Sequence, residues 1–357
     1  MLNSVKQIAT VETIEKMCNN VVLLRLRIGN RTDMPYQAGQ YIAIHLNNGE
    51  TRCYSMANSY QPGRALEFYI RLRSNGLFST WLQEALSLQP QQPLPLSISG
   101  PYGNCVWHDA EQPAATTLML ATGTGIVPLA AILEERLAAN CNQAISLYWA
   151  DTEPSQLFLA NEFNQLAIQY PNFKFVPILT QRTESKTEYI KFITDRVVAD
   201  LPCLEDSLVY ACGSPSMIAT ARERLMRQCN MKAQHFYADA FSSSGMQQPR
   251  ALSTDNQLRV QLLRSDGETQ ELLLPNTASL LTGLKAQGLL QGICGGNKSC
   301  GSCRIHIEAA WMDRIEPADR VEARLLNVLD NPTPYDRLAC QIQLHAKLED
   351  LCFSIPS

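Results

Sequence analysis

Hydrophobic and polar positions along this chain change period more than once, and each change marks a different kind of structure. From residue 4 to 108, short runs rich in β-branched and aromatic residues follow one another: Val21 to Ile28, Tyr41 to Leu46 and Leu66 to Leu72. Asn-Gly, Pro-Gly and Gly-Pro-Tyr-Gly turns separate such segments, which predicts strands joined into an antiparallel barrel. From 115 to 243 apolar strands at Leu118–Ala121, Ile145–Trp149, Phe173–Ile178 and Leu208–Cys212 alternate with helical segments such as Leu129–Ala139 and Ser216–Cys229. That alternation predicts a parallel sheet covered by helices. Residues 242–250 (SSSGMQQPR) have linker composition, and strand-like segments resume after them. The expected organisation is a multidomain chain of β, α/β and α+β parts: a barrel over 1–110, an α/β domain over 111–243, a linker over 244–254 and a further domain over 255–357.

A length of 357 residues suits two or three domains. The composition is that of an ordinary globular protein, 45% hydrophobic and 18% charged. With a net charge of −4 and no basic tract, a nucleic-acid partner is not expected. The first seventeen residues, Met1 to Met17, lack the apolar core of a signal peptide. Gly123, Gly125 and Pro128 break the most apolar long stretch, Thr117–Leu133, so no membrane span is expected and the predicted location is cytoplasmic. Twelve cysteines in a chain of this size, without an export signal, point to thiols and metal ligands rather than disulfides.

Four of those cysteines form the strongest chemical signal. Cys294, Cys300 and Cys303 lie in CGGNKSCGSC, and Cys340 follows in RLACQ. Four thiolates can hold two irons bridged by sulfides, and three close ligands need a sharply bent loop. Gly295, Gly296 and Gly301 permit that bend and let backbone N–H groups approach the sulfurs. Zinc sites favour paired ligands two to four residues apart, and the gap of five beside a gap of two fits them poorly. The spacing, the segment Asp313–Leu326 after the loop and the tail from Arg337 resemble adrenodoxin-type [2Fe-2S] ferredoxins, which implies a β-grasp domain over 255–357. In that family the helix after the loop is acidic. Here Asp313, Glu316, Asp319 and Glu322 alternate with Arg314, Arg320 and Arg324, so a solvated mixed-charge face with local ion pairs is expected at least as readily as a docking face. His306 and His345 are expected to face solvent.

A second group of residues suits a flavin. Arg52, Tyr54 and Ser55 supply a cation for a phosphate, a ring against the isoalloxazine and a hydroxyl near its N5. Gly76, Ser79 and Thr80 open an expected helix, Thr80–Ala85, whose N-terminus suits phosphate. With AGQY at 38–41 and GPYG at 100–103, these motifs resemble the ferredoxin–NADP⁺ reductase superfamily, oxygenase-reductase type. The resemblance implies FAD, with FMN as the alternative.

A strand, a glycine-rich turn and a helix follow at Leu118–Pro128. Gly123, Thr124 and Gly125 allow a pyrophosphate to approach the helix N-terminus, and Pro128 suits the first turn. Cys212, Gly213, Pro215 and Met217 form a second strand-to-helix junction. The resemblance implies that these hold a nicotinamide cofactor, with Cys212 near its C4 and Phe241, in Asp-Ala-Phe, near the flavin. Core packing explains Cys212 and Phe241 equally well. Asp151 ends the second strand, where a carboxylate can accept from a ribose hydroxyl, so NADH is expected ahead of NADPH.

A hydride carries two electrons and an iron–sulfur cluster takes one, so a flavin has to stand between them. The expected protein is a reductase in which Ser55, Cys212 and Phe241 orient the reacting rings. Its expected partner is the terminal component of a multi-component, Rieske-type oxygenase or another electron-accepting protein. A reductase for a deoxysugar dehydrase or a cytochrome P450 system is the alternative, as is a redox-sensing carrier with little turnover.

Overall fold

The computed structural model describes residues 6–29, 34–88, 94–109, 116–139, 141–180, 186–241, 257–264, 267–276, 278–290 and 292–356, with backbone only for 186–192. The expected linker, 244–254, lies outside the described residues. Backbone contacts divide the chain into two compact units, one of residues 6–242 and one built on 243–357.

The first unit contains two sheets. Strands β1 (Gln7–Cys18), β2 (Val21–Ile28), β3 (Tyr41–His45), β4 (Thr51–Ser55), β5 (Leu66–Arg71) and β6 (Pro95–Tyr102) form an antiparallel sheet in the order β4-β3-β6-β1-β2-β5. Its two edges are stitched together just past β4. Ala57 N donates to Glu67 O at 2.8 Å, and the Asn58 side chain bonds Glu67 N and Ala65 O. Burial alternates along β5, as period 2 demands of a strand with one face inward. Leu24, Ile42, Phe68 and Ile98 fill the interior. Helix α1 spans Leu77–Leu88 and buries Phe78 and Leu82. It is therefore longer than the expected Thr80–Ala85, because the first turn forms on Gly76, whose carbonyl accepts from Thr80 N.

The second sheet is wholly parallel. Strands β7 (Thr117–Thr122), β8 (Ile145–Asp151), β9 (Phe173–Leu179), β10 (Leu208–Gly213) and β11 (Phe236–Ala240) stand in the order β11-β10-β7-β8-β9. Helices α2 (Ile126–Ala138), α3 (Ala160–Gln169), α4 (Lys186–Asp200) and α5 (Pro215–Gln228) connect them. Every residue of β7, β8 and β10 is buried, the pattern of central parallel strands covered on both faces. The barrel contributes to this core: Ala38 and Cys105 pack with Ile132 and Trp149.

The C-terminal unit holds β12 (Gln257–Leu263), β13 (Thr269–Pro275), α6 (Leu280–Ala286), β14 (Arg304–Ile307), α7 (Arg320–Val328), β15 (Asp336–Leu338) and β16 (Leu351–Ser354). Its sheet runs β13-β12-β16-β14-β15, with β12 and β16 parallel and every other pair antiparallel. Leu258, Val260, Leu284, Ile305 and Phe353 form its core. No helix among the described residues is long and apolar enough to cross a membrane.

Candidate functional site

In the parallel sheet the chain leaves β7 toward β8 on one side and later returns to β10 on the other. Ligands of such sheets settle at the carboxyl ends of the strands where the order reverses. Both sequence motifs lie there, and they interlock. A Cβ on Gly125 would stand 2.1 Å from the carbonyl oxygen of Cys212, and one on Gly213, whose φ is +143°, would stand 2.2 Å from Thr122 Oγ1. Only glycine fits either position. Trp149 Nε1 donates to Gly123 O at 2.9 Å, fixing the turn from below. Ser214 caps α5 by accepting from Met217 N, with Pro215 in the first turn. Phe241 N donates to Gly213 O at 2.7 Å, which brings this aromatic residue to the same loops. Gly123, Thr124, Gly125, Cys212, Gly213, Pro215 and Phe241 thus gather at one crevice, with Pro128 buried in the first turn of α2.

Two expectations for this crevice are corrected. Met217 is fully buried against Leu118, Val209 and Ala221, because it lies on the inward face of α5, so its side chain belongs to the core. Asp151 does not offer a free carboxylate to a ribose. It is 2% exposed, with Oδ2 2.7 Å from Arg71 Nη2 and Oδ1 accepting from Thr152 N at 2.7 Å. Arg71, which the sequence placed only inside the strand-like run Leu66 to Leu72, is the residue that was missed. Its guanidinium lies 3.5 to 3.8 Å from the Cβ position of Gly123, and its buried Nε has no hydrogen-bond partner among the described residues. Strand β5 therefore delivers a cation from the barrel to the glycine-rich turn.

The thiol of Cys212 faces inward as well. Its Sγ lies 3.7 Å from that of Cys105, and burial first, then Cys105, pushes its pKa well up. A protonated thiol of this kind can pack and orient but is a poor nucleophile.

The flavin candidates sit on β4 and α1. Alternation puts Arg52 and Tyr54 on the same face of β4. Arg52 is half-buried and pairs with Glu50 Oε2 at 2.5 Å. Tyr54 meets Phe78 at a ring distance of 5.5 Å, and Phe78 stacks on Trp81 at 5.4 Å and 9°. Burial raises the Tyr54 phenol above its ordinary pKa, so it stays neutral. Ser55 is buried at the end of the strand, opposite Tyr41. Ser79 turns its hydroxyl inward to accept from Arg73 N at 2.9 Å, and Thr80 is exposed with its N–H bonded to Gly76. The backbone donors available to an anion here are those of the first turn, Leu77 to Ser79.

In the C-terminal unit the loop from Cys294 to Cys303 folds back on itself with four residues at positive φ: Gly295, Gly296, Lys298 and Gly301. A Cβ on Gly301 would reach within 2.7 Å of Leu329, so the loop is pressed onto the residue after α7. The four thiols come together as two pairs, Cys294 with Cys300 and Cys303 with Cys340. Among the described residues no three His, Cys, Asp or Glu side chains converge on one ion. The hydrogen bond from Cys300, joined by the N–H groups of Ser299, Gly296 and Cys300, lowers Cys294 to about 5. The bond from Cys303 likewise lowers Cys340, with help from Gln341. Ser302 Oγ lies 3.0 Å from Cys300 Sγ and accepts from Ile293 N at 2.9 Å. Donors aimed at sulfur suit thiolates that carry a shared negative charge.

The face after this loop differs from expectation. Glu322 is 2% exposed and accepts from Arg337 Nε at 2.9 Å and Leu338 N at 2.8 Å. Asp319 caps α7 through Val321 N and Glu322 N and pairs with Lys298. Two of the four acidic residues are thus spent on internal structure rather than on a solvated face. His306 is also less free than expected, with Nδ1 3.2 Å from Asp336 Oδ1, whereas His345 is exposed.

Comparison with known proteins fits this geometry. Residues 8–107 match the oxidoreductase FAD-binding domain and 119–223 the oxidoreductase NAD-binding domain. A CDP-6-deoxy-L-threo-D-glycero-4-hexulose-3-dehydrase reductase of Yersinia pestis is 31% identical over 66% of this chain and 68% of its own length. The terephthalate 1,2-dioxygenase reductase component 1 of a Comamonas species is 30% identical over 63% of this chain and 65% of its own. In fold, an intact type IV self-sufficient cytochrome P450 monooxygenase matches 98% of this chain and 41% of its own, with a TM-score of 0.68 at 16% identity. The matches to the two reductases span about two thirds of each relative's length. The first match falls on the antiparallel sheet that carries the flavin motif, and the second on the parallel sheet whose glycine turns meet at the switch point. The chain therefore belongs to the ferredoxin–NADP⁺ reductase-type family of FAD- and NAD-binding oxidoreductases.

Proposed function

We propose that this protein is an NAD(P)H-dependent reductase that passes electrons through FAD to a C-terminal [2Fe-2S] cluster and on to a partner protein. Bound FAD supplies the exchange between a two-electron donor and one-electron acceptors. The chain's own residues do the rest. Arg52 and the first turn of α1 hold phosphate, Tyr54 lies against the flavin ring and Ser55 orients it. Gly123 to Gly125, Gly213 and Pro215 shape the nicotinamide crevice, and Phe241 stands beside it. Cys212 packs the floor and takes no proton at neutral pH, since burial keeps its thiol protonated. Asp151, committed to Arg71, does not select NADH over NADPH.

The observation that carries the cluster is the arrangement of the four thiols. Cys294 paired with Cys300, and Cys303 with Cys340, suit two irons with two protein ligands each. The gap of five residues beside a gap of two fits a zinc site poorly. The sheet order β13-β12-β16-β14-β15, with a parallel central pair flanked by antiparallel neighbours, supports a β-grasp ferredoxin domain over 255–357.

The proposed partner is the terminal component of a multi-component, Rieske-type oxygenase; the Comamonas relative is by name the reductase component of a dioxygenase. A dehydrase acting on a nucleotide-linked deoxysugar is the second reading, favoured by the Yersinia relative. The purified protein is expected to contain FAD, two irons and two acid-labile sulfides per chain. Cys300→Ser is expected to abolish NAD(P)H-driven cytochrome c reduction while sparing ferricyanide reduction at the flavin. Cytochrome c reduction that survives this substitution would remove the cluster from the path. Electron delivery to an oxygenase and to a dehydrase component separates the two partners.

A further inference from the structure

Three of the four thiols share one loop, the fourth comes from a distant part of the chain, and one side chain connects the two. Gln341 follows Cys340 directly, and its Nε2 lies 3.1 Å from Cys340 Sγ and 3.1 Å from Gly296 O. A primary amide nitrogen carries two N–H donors. A carbonyl oxygen and a ligand sulfur both call for a donor, so only the nitrogen end of the amide satisfies both contacts. Gly296 stands at φ +95° inside the loop, and its own N–H serves Cys294 in the other pair. Its Cβ position would lie 3.8 Å from Cys340 Cβ, so the loop and the fourth cysteine approach closely here. Gln341 therefore holds the fourth ligand and a donor of the first ligand in one hydrogen-bonded unit.

We propose that Gln341 is a positioning residue that also sets the reduction potential of the cluster, a proposal that rests on the [2Fe-2S] reading above. Reduction adds negative charge that is shared with the ligand sulfurs, so a fixed donor at Cys340 stabilises the reduced form more than the oxidised form. The donor is neutral, so its effect does not follow pH across the neutral range. Without it, the reduced cluster loses a donor and the loop loses its tie to Cys340.

The test uses the full-length holoprotein and the variants Gln341→Leu and Gln341→Glu, each assayed for iron, acid-labile sulfide and FAD. The glutamate variant keeps the length of the side chain without its N–H donors. An EPR-monitored redox titration then gives the cluster midpoint for each protein carrying two irons. In each variant the ratio of reduced to oxidised cluster at the wild-type midpoint is expected to fall roughly tenfold, equivalent to about 59 mV for one electron. The flavin potential is expected to stay unchanged. A fully loaded variant of either kind with an unmoved midpoint overturns the role of Gln341 and leaves the cluster reading intact. A wild-type protein that binds no iron, even after reconstitution, overturns both.

Discussion

Arg71 Nη2 stands 2.7 Å from Asp151 Oδ2, joining the last residue of β5 to the last residue of β8. The carboxylate is 3% exposed and the guanidinium 24%, so the pair is shielded at its acidic end and open at its basic end. It ties the sheet of the flavin motif to the sheet of the nicotinamide motif, beside the Gly123 turn. A second tie runs from α2, where Glu134 accepts from Ser59 N and pairs with Arg64.

Removing one partner of such a pair leaves the other without compensation. Arg71→Met is expected to destabilise the protein by about 3 kcal/mol, because Asp151 would keep only the donors of Thr152. Asp151→Asn should cost less, since the Arg71 guanidinium it leaves uncompensated is 24% exposed and reaches solvent. A double-mutant cycle read by urea unfolding is expected to give a coupling energy of about 1–3 kcal/mol. Simple additivity would mean that the pair contributes no coupling.

Gly125→Ala is expected to disrupt the proposed nicotinamide crevice selectively. The added methyl group would fall 2.1 Å from the Cys212 carbonyl, and neither backbone can yield without parting β7 from β10. A rise of at least about tenfold in the NAD(P)H concentration needed for ferricyanide reduction, with FAD retained, is the expected result. An unchanged requirement would place the nicotinamide elsewhere.

Thiol accessibility tests the packing directly. Cys53 and Cys203 are exposed, whereas Cys105 and Cys212 are buried. Burial also holds the Cys212 thiol protonated and therefore slow to react. Brief alkylation of the folded protein followed by mass spectrometry should label Cys53 and Cys203 and leave Cys212 untouched until the chain is unfolded. Early labelling at Cys212 would mean that the thiol opens onto the crevice.

Asp319 gives the C-terminal unit a pH-dependent contribution. Burial opposes its ionisation, but the N–H groups of Glu322 and Val321 and the Lys298 ammonium outweigh that, so its folded pKa lies below the ordinary 3.8. Such a group stabilises the fold above its unfolded pKa, and the contribution disappears as pH falls through the lower folded value. Asp319→Ala is expected to cost about 1 kcal/mol at neutral pH through loss of the α7 cap. The difference from wild type should narrow below about pH 4, as urea titrations at neutral and acid pH would reveal. A gap that stays constant into acid would assign the cost to something other than the charge.

Much of the framework was legible in the order of residues. The four apolar segments of the parallel sheet all formed strands, because central parallel strands need apolar side chains on both faces. Gly125 and Gly213 stood out as turn residues, and the backbone approach to Cys212 and Thr122 gives the steric reason. The crowding of Cys294, Cys300 and Cys303 marked a binding loop, and positive φ at Gly295, Gly296 and Gly301 is what the bend required. Partners of individual polar side chains were not legible in this way. Asp151 looked like a free loop carboxylate, Glu322 looked like one charge on a mixed face, and Met217 looked like part of a binding junction.

Periodicity, turn stereochemistry and ligand spacing are properties of neighbouring residues, so the sequence alone determined the strands, the glycine turns and the cysteine loop. Whether a charged or polar group is spent on structure or left for a ligand depends on which distant segment packs against it. Arg71 meets Asp151 across 80 positions, Arg337 meets Glu322 across 15 and Gln341 meets Gly296 across 45. Each contact exists because two packed elements converge on a point that no local pattern encodes, and low solvent exposure there makes the pairing obligatory. Tertiary structure alone decided those assignments.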